Sequence, residues 1–332
     1  MAASTVTLPT LAELSKRVDP GWKEISPIVE LLSIQHGLMG VAPFQEGNLA
    51  TGERTTVRTG LATPAWRMFN IGTAVSSTQT AQVDFQAAML KSISESDTEL
   101  LKISPNKEQF LLTEATGHIE GMAQEWSSTA YYGTAASPEE FVGLASMFSD
   151  TTASNGQNVL DAGGTDASDN TSMWLIDFGP DVFGMYPRGT TAGISRAGAG
   201  VVWAENFGAT GRRALVHREE YSLGGGFVVR DWRKVVRVAS IDVSALVAQS
   251  SDANLLYWGT KAKHRIYSNR TAGRRVWLMN PTCAEYLEHQ LNDRITAGGG
   301  VTMKNVDGFD VLHFVGFPVI IDDNILNTEA PV

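Results

Sequence analysis

The sequence predicts an α+β protein, and three observations carry that prediction. Period-2 alternation marks strands at residues 55–59 and 227–238, whereas apolar residues recur at three- and four-residue steps from Phe110 to Ala130 and mark one long helix. The 332 residues include 32 Gly and 12 Pro, which supply many turns. With 43% apolar and 19% charged residues, the chain can bury a sizeable core.

Residues 1–45 read as short helices forming an N-terminal arm. Thr10 and Glu13 have capping-box spacing. Asp19-Pro20 and Ser26-Pro27 each read as an N-cap followed by proline at the first helical position. Residues 46–90 read as a long hairpin. Thr55, Val57 and Thr59 alternate with arginine and threonine on the outgoing strand, residues 60–64 turn, residues 66–71 return, and Val83, Phe85 and Ala87 continue extended. An isolated hairpin is marginal in water, so this one needs a partner surface. The long helix is expected to start at Ser104-Pro105 and stop at Gly133, near residues 105–132, with Gly117 and Gly121 as weak points inside it. Further strands are expected at 173–178, 182–186, 213–221, 227–238 and 275–279, with a strand pair at 309–321 bent at Gly316. Helices are expected at about 244–263 and 282–293. No run approaches the roughly 18 apolar residues of a membrane span, and the N-terminal M-A-A-S-T-V-T-L has no secretion-signal pattern.

The net charge is −10 and unevenly placed: residues 91–170 carry 3 basic and 13 acidic side chains. That balance argues against tight sequence-independent DNA binding, which needs many phosphate-neutralising cations. The chemistry-bearing motifs are absent. Neither a phosphate loop nor a dinucleotide glycine fingerprint occurs, and G-I-S-R-A at 193–197 falls one residue short of a nucleophile elbow. The six histidines lack metal-ligand spacing, and Asp161, Asp166 and Asp169 miss the calcium-loop spacing. The single cysteine, Cys283, excludes an internal disulfide and reads as a small buried residue. No catalytic, cofactor or metal site is expected. Two basic stretches stand out: Arg230, Arg233, Lys234 and Arg237, and a second running from Lys261 through Arg270, Arg274 and Arg275. They are open to three readings: a solvated face, complementarity to the acidic helix region of a neighbouring copy, or nucleic acid.

The order of arm, hairpin, long helix and α+β body resembles the major capsid proteins of tailed bacteriophages, with the Hong Kong 97-type shell fold. F-Q-E-G-N-L-A-T-G-E-R-T-T-V-R-T-G-L at 44–61 looks like the start of the extended E-loop, and 109–132 followed by Gly133 and P-E-E-F-V-G-L at 138–144 looks like the spine helix and its exit. V-W-L-M-N-P-T at 276–282 and G-F-P-V at 316–319 look like the axial-domain core, and I-L-N-T-E at 325–329 is similar to the tail of a podovirus-type subfamily. One departure is that the family's commonest order places further peripheral strands after the Gly-x-Pro-Val block, where this chain has 13 residues. The strands at 173–186 and 227–238 are expected to supply that sheet instead.

The resemblance implies an N-terminal arm at 1–45, an E-loop at 46–90, a peripheral domain at 91–245 and an axial domain at 246–332. It implies a non-enzymatic shell protein of the virion, made in the host cytoplasm and built into pentamers and hexamers. Its partners would be a separate scaffolding protein, a portal protein, a decoration or cement protein in some assemblies, and packaged double-stranded DNA held by weak contact, with no membrane. Candidates for contact between subunits are Arg54, Arg58, Trp66, Arg67, Glu108, Glu114, Arg230, Arg274 and Arg275. Part of the family cross-links an E-loop lysine to a neighbour's asparagine. The hairpin from Glu46 to Leu90 has three arginines and no lysine, so that bond is not expected. The alternative is an unrecognised soluble enzyme or ligand-binding α+β protein.

Overall fold

The computed structural model describes residues 14, 34–205, 212–250, 253–266, 274–296, 304–306 and 309–332. The expected caps at Thr10, Asp19 and Ser26, and Arg270 of the second basic stretch, lie outside these. The strands in chain order are β1 (Phe44–Glu46), β2 (Gly52–Gly60), β3 (Gln79–Gln86), β4 (Ala88–Asp97), β5 (Val159–Asp161), β6 (Asn170–Phe178), β7 (Val182–Tyr186) and β8 (Ser195–Glu205). They continue with β9 (Arg213–Val229), β10 (Val235–Asp242), β11 (Arg274–Met279), β12 (Lys304–Val306), β13 (Phe309–Val311), β14 (His313–Phe314) and β15 (Phe317–Ile321). The chain divides into two compact units. One is Met1–Gln35, Met89–Ser127 and Gly193–Gly224; the other is His36–Ala88, Ser128–Ala192 and Gly225–Val332.

In the first unit, β9 pairs with β4 and, antiparallel, with β8, with Arg196 opposite Tyr221 and Trp203 opposite Leu215. Leu14, Leu100, Leu101 and Phe110 form its apolar cluster. The long helix spans Lys107–Tyr132, 26 residues, or roughly 39 Å at 1.5 Å per residue. Its start differs from the Ser104-Pro105 expected. The Asn106 side chain accepts from the Gln109 amide at 3.1 Å, so Asn106 caps the first turn. Gly117 and Gly121 leave the helix uninterrupted, because Phe110, Ala115, Met122, Trp126 and Ala130 still bury one stripe.

In the second unit, a six-stranded sheet runs β14-β15-β11-β6-β10-β5. The central β6 is antiparallel to both β10 and β11 and buried along its whole length; its apolar run Met173–Ile176 suits that burial, while the polar Ser172 and Asp177 are partnered by Glu329 and Arg275. One face packs Met173, Leu175, Val236, Val238 and Trp277 against the helices Leu255–Arg265 and Pro281–Thr296. On the other face Trp174 meets Phe148 edge-on at 6.2 Å and Tyr131 at 6.3 Å. A boundary at 245/246 would cut this one sheet, since β5, β6 and β10 precede it and β11, β14 and β15 follow it.

Other elements also depart from the sequence reading. The alternation at 227–238 is not one strand. The Asp231 side chain accepts from the Arg233 amide at 3.1 Å and sets a 3-10 turn, Trp232–Lys234, between β9 and β10. The helix expected at 244–263 is two, Val243–Val247 and Leu255–Arg265. Gln249 has φ 53° just after the first, a left-handed conformation that stops it. Residues 66–71 form no return strand; Asn70 takes φ 64° in a turn and the return comes later, as β3. The bend at Gly316 is a two-residue hairpin turn with positive φ at Val315 and Gly316 (51° and 94°). Among the described residues, no helix is long and apolar enough to cross a membrane.

Candidate functional site

The most conspicuous surface is the hairpin of β2 and β3. Its strands pair antiparallel, with Arg54 opposite Asp84 and Val57 opposite Ala81. Residues 61–78, between them, belong to no strand or helix and are exposed throughout. Trp66, Phe69 and Val75 are 106%, 98% and 99% exposed, and Leu61, Met68 and Ile71 are exposed with them. So many large apolar groups in one loop mark an interaction surface, because single exposed apolar residues are ordinary but a contiguous set is not.

Only the hairpin's root is packed. Phe85 and Ala87 lie against Phe183, Met185 and Val228. Glu53, 2% exposed, forms an ion pair with Arg230, and its other oxygen accepts from the Asn48 amide at 2.7 Å. Asn48 also exchanges two hydrogen bonds with the backbone of Arg54, at 2.7 and 2.8 Å. Gly52 has φ 150°, and a Cβ there would strike the carbonyl oxygen of Phe85, so the root has no space for a side chain.

A second polar assembly ties residues 322–329 to the sheet. Glu329 accepts from Tyr132 Oη at 2.6 Å, from Ser172 Oγ and from Arg237 Nη2 at 2.8 Å. Asp322 accepts from the Leu38 amide at 2.6 Å and from Tyr131 Oη at 3.0 Å. Burial, reinforced by Asp322, drives the Tyr131 hydroxyl far above its ordinary range; burial and then Glu329 do the same at Tyr132. Both tyrosines therefore stay protonated and donate.

In the first unit, Glu219 accepts from Arg196 at 2.5 Å and from Tyr221 Oη at 2.6 Å. Burial opposes its charge, but these two donors outweigh burial and hold the carboxyl below its ordinary pKa. Burial, then Glu219, pushes Tyr221 up to about 12. The Tyr221 ring stacks on His118, which meets Ser92 Oγ at 2.6 Å.

Within the second unit, the sequence-derived contact residues lie on the hairpin and its root, where Arg58 and Arg230 line one cavity, and at the start of β11. Arg54, Arg58, Trp66 and Arg67 share the hairpin, all exposed. Arg54 is occupied within its own chain: it forks onto Asp84 with two bonds of 2.7 Å, which hold Asp84 below its usual pKa. Arg230 likewise serves Glu53 rather than the surface. Arg275 lies 3.4 Å from Asp177 and over the Phe317 ring at 5.6 Å, and Arg274 is exposed beside it. Glu108 is exposed in the first turn of the long helix, and Glu114 is half-buried. Sequence reasoning missed Glu53, Asp322 and Glu329; only the adjacent pair Tyr131-Tyr132 at a helix end hinted that polar partners were needed there.

Among the described residues, no group of three or more His, Cys, Asp or Glu is placed to hold a metal. Cys283 is buried, and burial followed by Glu329 pushes its thiol up to about 12, so the helix start it occupies does not activate it.

An apolar-tipped hairpin, a long helix and a mixed central sheet are the parts of a phage shell subunit of the Hong Kong 97-type fold. The hairpin is the E-loop and the long helix the spine. The chain belongs to the family of major capsid protein GP7, whose family model matches residues 20–332. It is a head shell protein of a phage virion. It is similar to the cryo-EM structure of bacteriophage Epsilon15, with a TM-score of 0.79 and 25% identity over 100% of this chain and 99% of that one. Weaker likenesses are the SrpI encapsulin of Synechococcus elongatus PCC 7942 (TM-score 0.45, 11% identity, 71% and 97% of the two chains) and the capsid of phage XM1 (0.43, 10%, 66% and 97%). No curated protein matches the chain.

Proposed function

We propose that the protein assembles with copies of itself into pentamers and hexamers that close an icosahedral shell around double-stranded DNA, without catalysing a reaction. The observation that carries this is the E-loop: six large apolar side chains exposed on a ribbon with no core of its own. A neighbouring copy is the natural cover, because every subunit presents the same loop and needs the same burial. Arg58 and Arg67 add charge at that loop, with Glu108 and Glu114 as acidic counterparts. In this reading the peripheral part is built on 89–127 and 193–224, and the axial part on the six-stranded sheet and its helices. A separate scaffolding protein, a portal and, in some assemblies, a decoration protein complete the picture, supported by family membership.

Replacing 61–78 by Asn-Gly to close β2 onto β3 tests the central point. The expected result is a folded subunit that remains a small oligomer in size-exclusion chromatography, while the full chain with scaffold gives closed particles by electron microscopy. Normal particles from the shortened chain would reject the role of the loop.

A further inference from the structure

Asparagine followed by glycine is the pair most prone to lose ammonia from a protein chain. The glycine nitrogen attacks the asparagine Cγ and a five-membered succinimide closes, fastest at glycine because no side chain crowds the attack. Among the asparagines of this chain, only Asn155 precedes a glycine. The pair lies between the helix Leu144–Met147 and β5, where Gly156–Asn158 forms a 3-10 turn. Space requires glycine at 156: it is buried, and a Cβ there would strike the Thr151 carbonyl. Asn155 has its own bond to make, with Nδ2 donating to Met147 O at 2.7 Å. The fold therefore asks for each member of the reactive pair separately.

The folded loop keeps the ring from closing. Closure needs the Asn155 Cβ to lie syn to the Gly156 nitrogen about the Cα–C bond. At ψ 0° the residue's own nitrogen lies there instead, and Cβ is a third of a turn away. The Gly156 N–H donates to Ala153 O at 2.8 Å, which holds the proton that the attack must remove. The bond to Met147 O holds the carboxamide that would have to swing onto that nitrogen. The rest of the loop braces these groups. Asp150 Oδ1 accepts from the Thr152 amide and hydroxyl at 2.6 and 2.7 Å, and Asn158 Nδ2 donates to Trp232 O and Val235 O at 3.1 and 2.9 Å.

We propose that Asn155 is a one-way hydrolytic modification site, closed while residues 147–158 are folded and open when they are not. In the opened loop the Gly156 nitrogen loses its proton to solvent base and bonds to Cγ, and the Cγ–Nδ2 bond breaks to release ammonia. Water then adds to either succinimide carbonyl. The product is aspartate or, with the main chain rerouted through the side chain, isoaspartate; no oxidant or reductant takes part. Either product lacks the donor to Met147 O and sets a carboxylate against that carbonyl. Isoaspartate also lengthens a backbone that has no spare room at Gly156. The modified loop does not re-form, and its groups matter beyond it: Phe148 O accepts from Arg237 Nη1 at 2.9 Å, and the Phe148 ring meets Trp174 edge-on. A subunit that lingers with this loop open is marked permanently, whereas one that folds promptly keeps Asn155.

The test incubates the full chain, folded and in guanidinium chloride, in mildly alkaline buffer made with heavy-oxygen water, and maps its peptides by mass spectrometry. Asn155 should convert first among the asparagines of the unfolded chain, with isoaspartate in excess, and roughly tenfold or more slowly in the folded chain. D150A removes the acceptor for Thr152 without touching the reactive pair. It should speed conversion severalfold in the folded chain and leave the unfolded rate unchanged. N155D should raise hydrogen exchange at 147–158 beyond any change in β6. Equal rates in the folded and unfolded chains would overturn the protection. Another asparagine converting first in the unfolded chain would overturn the assignment. D150A behaving as the unmodified chain would reject the loop as the gate, and N155D with unchanged exchange would reject the one-way consequence.

Discussion

Replacing Glu329 with alanine should destabilise the protein far more than its place in the tail suggests. Glu329 and Arg237 are 6% and 4% exposed, so solvent does not screen their attraction. Alanine removes the acceptor for Arg237 Nη2, Ser172 Oγ and Tyr132 Oη together. Arg237 keeps its bond to Phe148 O at 2.9 Å and its place 5.2 Å over the Trp174 ring, but it has no counter-charge. Breaking a buried pair in this way costs about 3–5 kcal/mol. At about 2–4 °C per kcal/mol for a unit of this size, the melting temperature should fall by about 6–20 °C. Thermal unfolding of unassembled subunits reads this directly. The E329Q variant, which keeps an acceptor oxygen but not the charge, should fall between the two. An R237L/E329L double variant should recover much of the loss, since an apolar pair leaves no charge to bury. Melting of E329A within about 2 °C of the unmodified chain would refute the reasoning.

Three other outcomes follow. Glu219 has a lowered folded pKa, so its ion pair contributes stability above the unfolded carboxylate value of about 4.5, and that contribution is lost as pH falls through the lower folded value; urea midpoints of E219Q should therefore depend less on pH below about 4.5 than those of the unmodified chain. A Cβ on Gly259 would strike the Phe314 ring, so G259A should cost about 1–3 kcal/mol in chemical denaturation, although alanine is the better helix former. Assembled particles boiled in detergent and reductant should run as one band near 35.8 kDa, because the E-loop carries no lysine amine for an isopeptide bond; a ladder of covalent oligomers would contradict this.

The E-loop and spine were legible because each carries its own local period: alternation in β2, and a three-four stripe from Phe110 to Ala130. The same signal misled at 227–238. Alternation runs on through residues 231–234 although Asp231 breaks the strand there, and hydropathy does not register a side chain that caps a turn. β8 was not anticipated, since S-R-A-G-A-G-V-V-W-A-E starts with small and polar residues whose faces look alike. The polar anchors were illegible for a different reason. Glu53 and Arg230 are 177 residues apart and Arg237 and Glu329 are 92 apart, beyond the reach of any local pattern. Arg230 and Arg237 read as part of a basic stretch, with nothing in the sequence to join them to Glu53 and Glu329.

The bonds from Tyr131 to Asp322 and from Tyr132 to Glu329 reach across 191 and 197 residues. A ribosome adding about 5–20 residues per second needs roughly 10–40 s to make that stretch, so the end of the spine emerges long before its partners exist. Throughout that interval Arg237, once made, has no carboxylate to meet, and the sheet around it cannot close. The packing around Arg237, Tyr131 and Tyr132 is thus completed only after Asp322 and Glu329 have been made.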